Sequence, residues 1–131
     1  MQRHVKKMIS WIIGVVFATL VAYVVFFFAV PYLMAPDSLN RVEAQQILTS
    51  ELAAYRTKTY HQLTKLVRTS TSREVRGTSG AVYTLEVSFY WDGDPGQNIR
   101  VIAAISDQGK SAYVPMTDDF ILAPAGQFIG E

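Results

Sequence analysis

The chain has 131 residues, 50% of them hydrophobic and 18% charged, with a formal net charge of +1 and no cysteine. That balance excludes the broad basic footprint of a dedicated nucleic-acid binder. The missing cysteine excludes a disulfide brace, a thiolate nucleophile and a thiolate metal ligand.

The apolar residues are concentrated near the start, and no charged residue occurs from Met8 to Pro36. Residues 1–8 form a basic tail carrying Arg3, His4, Lys6 and Lys7. Residues 9–35 are predicted to be a transmembrane helix. Its heart, Ile12 to Val30, is interrupted only by Gly14 and Thr19, and about 20 helical residues suffice to cross about 30 Å of hydrocarbon. Trp11 and Tyr32 stand where amphipathic aromatics favour the two interfaces, and Pro31 and Pro36 suit the helix exit. A cleaved leader would have a shorter apolar run and small residues at the cut; here Pro36 follows Ala35 at the candidate cut. Basic residues before the span predict a cytoplasmic N-terminus and a domain on the extracytoplasmic side. Ser10, Gly14, Ala18 and Ala22 recur every four residues, a ridge of small side chains on which a second membrane helix could pack.

Residues 37–131 have the composition of one small soluble domain. Asp37 or Ser38 is placed to cap a helix in which Ala44, Leu48, Leu52 and Tyr55 share a face with Ile47 beside them, while Arg41, Glu43 and Glu51 point elsewhere. Thr59 can cap a second, shorter helix carrying Tyr60, Leu63, Leu66 and Val67, for which a strand is the alternative. Thr69 to Ser72 reads as a polar linker. The period then changes to two. Arg73 to Arg76 is a short strand, and Gly77-Thr78-Ser79-Gly80 is its turn. Ala81 to Trp91 is a long strand with Tyr83, Leu85, Val87, Phe89 and Trp91 on one face. Asp92-Gly93-Asp94-Pro95-Gly96 turns the chain into Asn98 to Ser106. Asp107-Gln108-Gly109 precedes a predicted strand at Ser111 to Val114. Phe120 to Leu122 and Phe128-Ile129 flank a last turn at Pro124-Ala125-Gly126. Short turns imply antiparallel pairing. The expected class is α+β: one or two helices packed on an antiparallel meander of about four strands.

The later residues resemble a small domain of uncharacterised bacterial proteins. The shared features are Tyr83 to Val87, Trp91-Asp92, Ile99 to Val101, Ile105 to Gly109, Pro115 to Ile121 and Phe128 to Glu131, with a weaker echo at Tyr60 to Leu63. The resemblance implies a fold and no catalytic residue, cofactor or metal.

Candidate sites are few. Asp92, Asp94 and Asn98 alternate like ligands of a calcium loop, but the twelfth position from Asp92 is Ala103 where a bidentate carboxylate is needed. The pattern therefore reads as turn chemistry. Asp118 and Asp119 are adjacent, so their side chains point apart and read as caps rather than an acid–base pair. His4 and His61 are too separate to build a metal site without cysteine. Ser79 lies outside any nucleophile-elbow spacing. No catalytic, cofactor or metal assignment follows. Arg56, Lys58, Lys65, Arg68, Arg73 and Arg76, with Glu74 as the single acid among them, make a possible basic interaction face for anionic lipid or an acidic partner. Tyr83, Glu86, Phe89, Arg100 and Tyr113 are a possible pocket lining. The expectation is a non-enzymatic, membrane-tethered interaction module, joined to a protein partner or a second copy through its transmembrane helix and making no contact with nucleic acid. A tethered small-ligand-binding domain is the alternative.

Overall fold

A computed structural model of the chain describes residues 2–130, with side chains from Trp11 onward except Ile12. The side chains of Arg3, His4, Lys6, Lys7 and Ser10, and residue Glu131, lie outside the described residues. The chain forms two compact units, Met1–Pro36 and Asp37–Glu131.

The first unit is a helix. It runs as α1 (Gln2–Val24), a π-helical turn (Val25–Ala29) and α2 (Val30–Met34). The helix passes through Pro31 rather than ending there. Proline has no N–H for the carbonyl four residues back, and the widened turn just before it re-routes the backbone bonding. The helix ends at Ala35, whose extended backbone is the conformation imposed on a residue before proline. Thr19, the polar interruption, turns its hydroxyl back onto the carbonyls of Val15 and Val16, at 3.1 and 2.9 Å. Ile13–Met34 is long and apolar enough to cross a membrane, and none of its most apolar stretch is buried by protein.

The second unit is α+β. Helix α3 (Arg41–Arg56) and the short α4 (Tyr60–Thr64) precede β1 (Ser70–Arg76), β2 (Val82–Asp92), β3 (Asn98–Ser106), β4 (Met116–Leu122) and β5 (Phe128–Ile129). The strands form one antiparallel meander in the order β1-β2-β3-β4-β5, five strands where about four were expected. The cap of α3 is Asn40, whose side chain accepts the Glu43 N–H, and not Asp37 or Ser38. The Ser38 hydroxyl is committed instead to Asp107. Thr59 and Gln62 form a reciprocal capping box at α4.

Two assignments change in the sheet. The Thr69–Ser72 linker is largely strand, because β2 offers a ladder as far as Ser88 and Ser70 pairs with it. Ser111–Val114 is not a strand: a 3-10 turn occupies Lys110–Ala112. The strand starts after Pro115, where Phe120 and Leu122 can reach the core opposite Val101 and Ile99.

Period-2 alternation sends Tyr83, Leu85, Val87 and Phe89, and Ile99, Val101, Ala103 and Ile105, to one face. Ala44, Leu48, Leu52 and Leu63 cover it from the helices. Tyr55 meets the edge of Phe89 with ring centroids 5.2 Å apart. Leu48→Ala should therefore lower unfolding stability by about 2–5 kcal/mol, read by chemical unfolding of the full chain in mild detergent; a change within error would mean that this face is not the core.

Candidate functional site

The most connected polar group in the domain is Glu43, in the first turn of α3. The residue is 6% exposed, and its carboxylate sits over the β1–β2 turn. The Thr78 hydroxyl and Ser79 N–H donate to Oε1 at 2.8 Å each, and the Ser79 and Tyr83 hydroxyls donate to Oε2 at 2.6 Å each. Gly77 makes room: a Cβ there would lie 2.4 Å from the carboxylate. The Ser79 and Tyr83 hydroxyls, then the Ser79 N–H and Thr78, hold the Glu43 carboxyl down at about 2 against the opposing effect of burial. The bond to Glu43, with burial, pushes the Tyr83 phenol up. A carboxylate held so firmly ionised is a poor proton shuttle near neutral pH, so this cluster is a clasp. The sequence reading missed it, although Asn40 and Glu43 stand at the first and last positions of a capping-box spacing.

A second knot ties the start of the domain to the β3–β4 connection. Asp107 accepts the Ser38 hydroxyl at 2.6 Å, the Gly109 N–H at 2.8 Å and the Ser111 hydroxyl. Burial raises the Asp107 pKa, but these donors outweigh it and leave the group lowered.

The sequence-predicted sites are dispersed. Tyr83 and Phe89 are in the core, while Glu86 and Arg100 alternate onto the opposite face of the sheet and Tyr113 is exposed beyond the 3-10 turn. The five do not line one pocket. Arg100 bridges Asp92 at 3.0 Å and Asp119 at 2.8 Å, so Asp92 is part of an ion-pair network. Asp118 accepts from Gln45 at 3.1 Å on the helical side of the sheet, and the two adjacent aspartates work on opposite faces. Among the described residues, no three histidine, aspartate or glutamate side chains converge on a metal position.

The basic run is dispersed as well. Arg56 stacks over the rings of Phe120 and Phe128, at 4.9 and 5.0 Å. Lys58 lies over Tyr55. Arg73 pairs with Glu51 at 2.7 Å, and Arg76 donates to the Gly80 carbonyl at 3.1 Å. Lys65 and Arg68 are exposed, and Arg68 adopts a left-handed backbone (φ 68°) where the chain enters β1. Arg56, Lys58 and His61 do share a cleft of about 430 Å³ with Tyr60 and Phe128.

An open groove of about 680 Å³ follows the outer face of α3. Val42, Gln45, Thr49, Ala53 and Met116 line it. The residues of the predicted membrane-helix ridge with described side chains, Gly14, Ala18 and Ala22, are exposed on α1, and space is open around Gly14.

No protein-family model, curated protein or solved structure matches the chain.

Two measurements test the clasp. Because the folded pKa of Glu43 lies below its ordinary value of 4.5, its contribution is complete above that value and is lost as pH falls towards about 2. Glu43→Gln should lower stability at neutral pH and flatten the acid limb of the stability–pH curve; an unchanged limb would assign the acid sensitivity elsewhere. Tyr83→Phe removes one buried bond to a charged acceptor and should cost about 1.5–3 kcal/mol in the same unfolding measurement.

Proposed function

We propose that this chain is a single-pass, membrane-tethered interaction module without enzymatic activity, acting as an accessory subunit of a larger membrane assembly. The observation that carries the reading is the Ile13–Met34 helix, whose length and apolar composition suit a membrane span and whose most apolar stretch is not buried. At about 1.5 Å per residue its 22 residues reach about 33 Å, enough for the hydrocarbon thickness. The Thr19 hydroxyl in the apolar heart is satisfied within the helix, as lipid requires.

The chemistry of the domain supports the non-enzymatic part. Its strongly perturbed carboxylate is locked in a clasp, Asp92 and Asp119 pair with Arg100, and Asp118 accepts from Gln45. Arg3, Lys6 and Lys7 favour a cytoplasmic N-terminus and with it an extracytoplasmic domain. Gly14, Ala18 and Ala22 offer one turn-spaced ridge for a second membrane helix.

Membranes carrying the full-length protein, washed at alkaline pH, should retain it in the pellet with its N-terminal residues intact. Release as a shortened soluble domain would identify a cleaved leader and overturn the reading. In mild detergent a second membrane protein, or a second copy, should co-purify stoichiometrically, and Gly14→Ile should reduce that association. A lone monomer carrying no partner would remove the subunit role.

A further inference from the structure

The domain has two ends, and one of them is tied to the point where the chain enters it. The Ser38 hydroxyl bonds Asp107 at 2.6 Å. The clasp holds the first turn of α3 to the β1–β2 turn. Thr84 pairs with Ser106, and Ile105 pairs with Met116. The start of α3, the start of β2 and the whole β3–β4 connection therefore lie at this entry end. The loops at 93–97 and 124–127 lie at the other.

The entry end carries the most exposed apolar side chains of the domain. Val42 is 71% exposed, Val114 66% and Tyr113 53%. Tyr113, Val114 and Pro115 are consecutive and all exposed, on a turn that Ser111 fixes by bonding back to Asp107. Single exposed apolar residues need no explanation. Here an aromatic and an aliphatic side chain project together from one braced turn, with exposed Arg41 and Arg76 and half-buried Lys110 at the same end. Only four peptide units separate Ser38 from Met34, the last residue of the apolar helix. Fully extended, they reach about 14 Å.

We propose that the Tyr113–Val114–Pro115 turn is a membrane-contact loop that seats in the headgroup layer of the same bilayer. This rests on the reading of Ile13–Met34 as a membrane anchor. Tyrosine favours that layer, where its ring is shielded and its hydroxyl stays wet. Valine adds apolar area at the acyl boundary, and the cations at this end face lipid phosphates. The anchor keeps the loop within reach of the surface, so a small buried area is enough to hold the orientation.

The chain has no cysteine, so one introduced thiol can carry an environment-sensitive fluorophore. Val114→Cys, Asp94→Cys and Phe26→Cys are labelled separately in the full-length protein, in vesicles of zwitterionic and anionic phospholipid. Val114→Cys should emit to the blue of Asp94→Cys and lose about half its intensity to lipids brominated near the headgroup, as an interfacial group would. Asp94→Cys should behave as in water, and Phe26→Cys should be quenched by deeply brominated lipid. A water-like Val114 probe beside a quenched Phe26 probe overturns the loop contact and leaves the anchor standing. A blue-shifted but unquenched Val114 probe means that protein covers the turn, which also overturns it. An unquenched Phe26 probe overturns the anchor reading and this proposal with it.

Discussion

The domain depends on one carboxylate. Glu43 enters from the first turn of α3 and accepts four hydrogen bonds from the turn and strand that begin the β-hairpin. Removing a charge from water is expensive unless every lone pair finds a donor, and here Thr78, Ser79 and Tyr83 supply them. The result is a fixed crossing point between helix and sheet. Leu48 and Leu52, one and two turns along α3, then enter one core cluster with Leu85, Val101 and Ile105. Gly77 belongs to the same arrangement, since a side chain there would occupy the space of the carboxylate. Asp107 repeats the device on a smaller scale, binding the entering chain to the β3–β4 connection. Among the described residues, no buried side-chain nitrogen or oxygen is left without a partner. Such complete pairing favours a single packed arrangement over a deformable one.

Much of this was legible from sequence where the pattern is local. β2 and β3 announce themselves by strict alternation, and α3 by the spacing of Ala44, Leu48 and Leu52. The misreadings fall where local and tertiary signals part. Ser111 to Val114 has the composition of a strand end, but Ser111 is drawn to Asp107 and the chain makes a 3-10 turn. The polar Ser70–Ser72 segment has no intrinsic claim to be a strand, and it becomes one because β2 extends past it with free ladder positions. Glu43 is expected from sequence only to point away from the apolar face of α3, because its donors lie 35 to 40 positions away. The proposed pocket failed for a simpler reason: Glu86 and Arg100 have the opposite parity from Tyr83 and Phe89, and parity decides the face.

The apolar helix and the domain solve the same problem by different means. In the helix, Pro31 removes a donor and the π-helical turn absorbs the gap, while Thr19 returns its hydroxyl to the backbone. In the domain, side chains at capping and turn positions do that work. Both units leave few polar groups seeking partners and expose apolar groups in confined places. Those places are the helix surface, the α3 groove and the turn after Ser111.

The sheet has two free edges, and neither invites another strand. β5 is two residues long. β1 is fully built, but it is Ser-Thr-Ser-Arg-Glu-Val-Arg, and charged residues along an edge discourage pairing with another chain. Under the proposed membrane tethering this matters, because copies confined to one plane would meet often and in similar orientations. A bare, apolar edge would let neighbouring domains zip into an extended sheet. With both edges closed to that, crowding raises the frequency of encounter without opening a route to fibrous assembly.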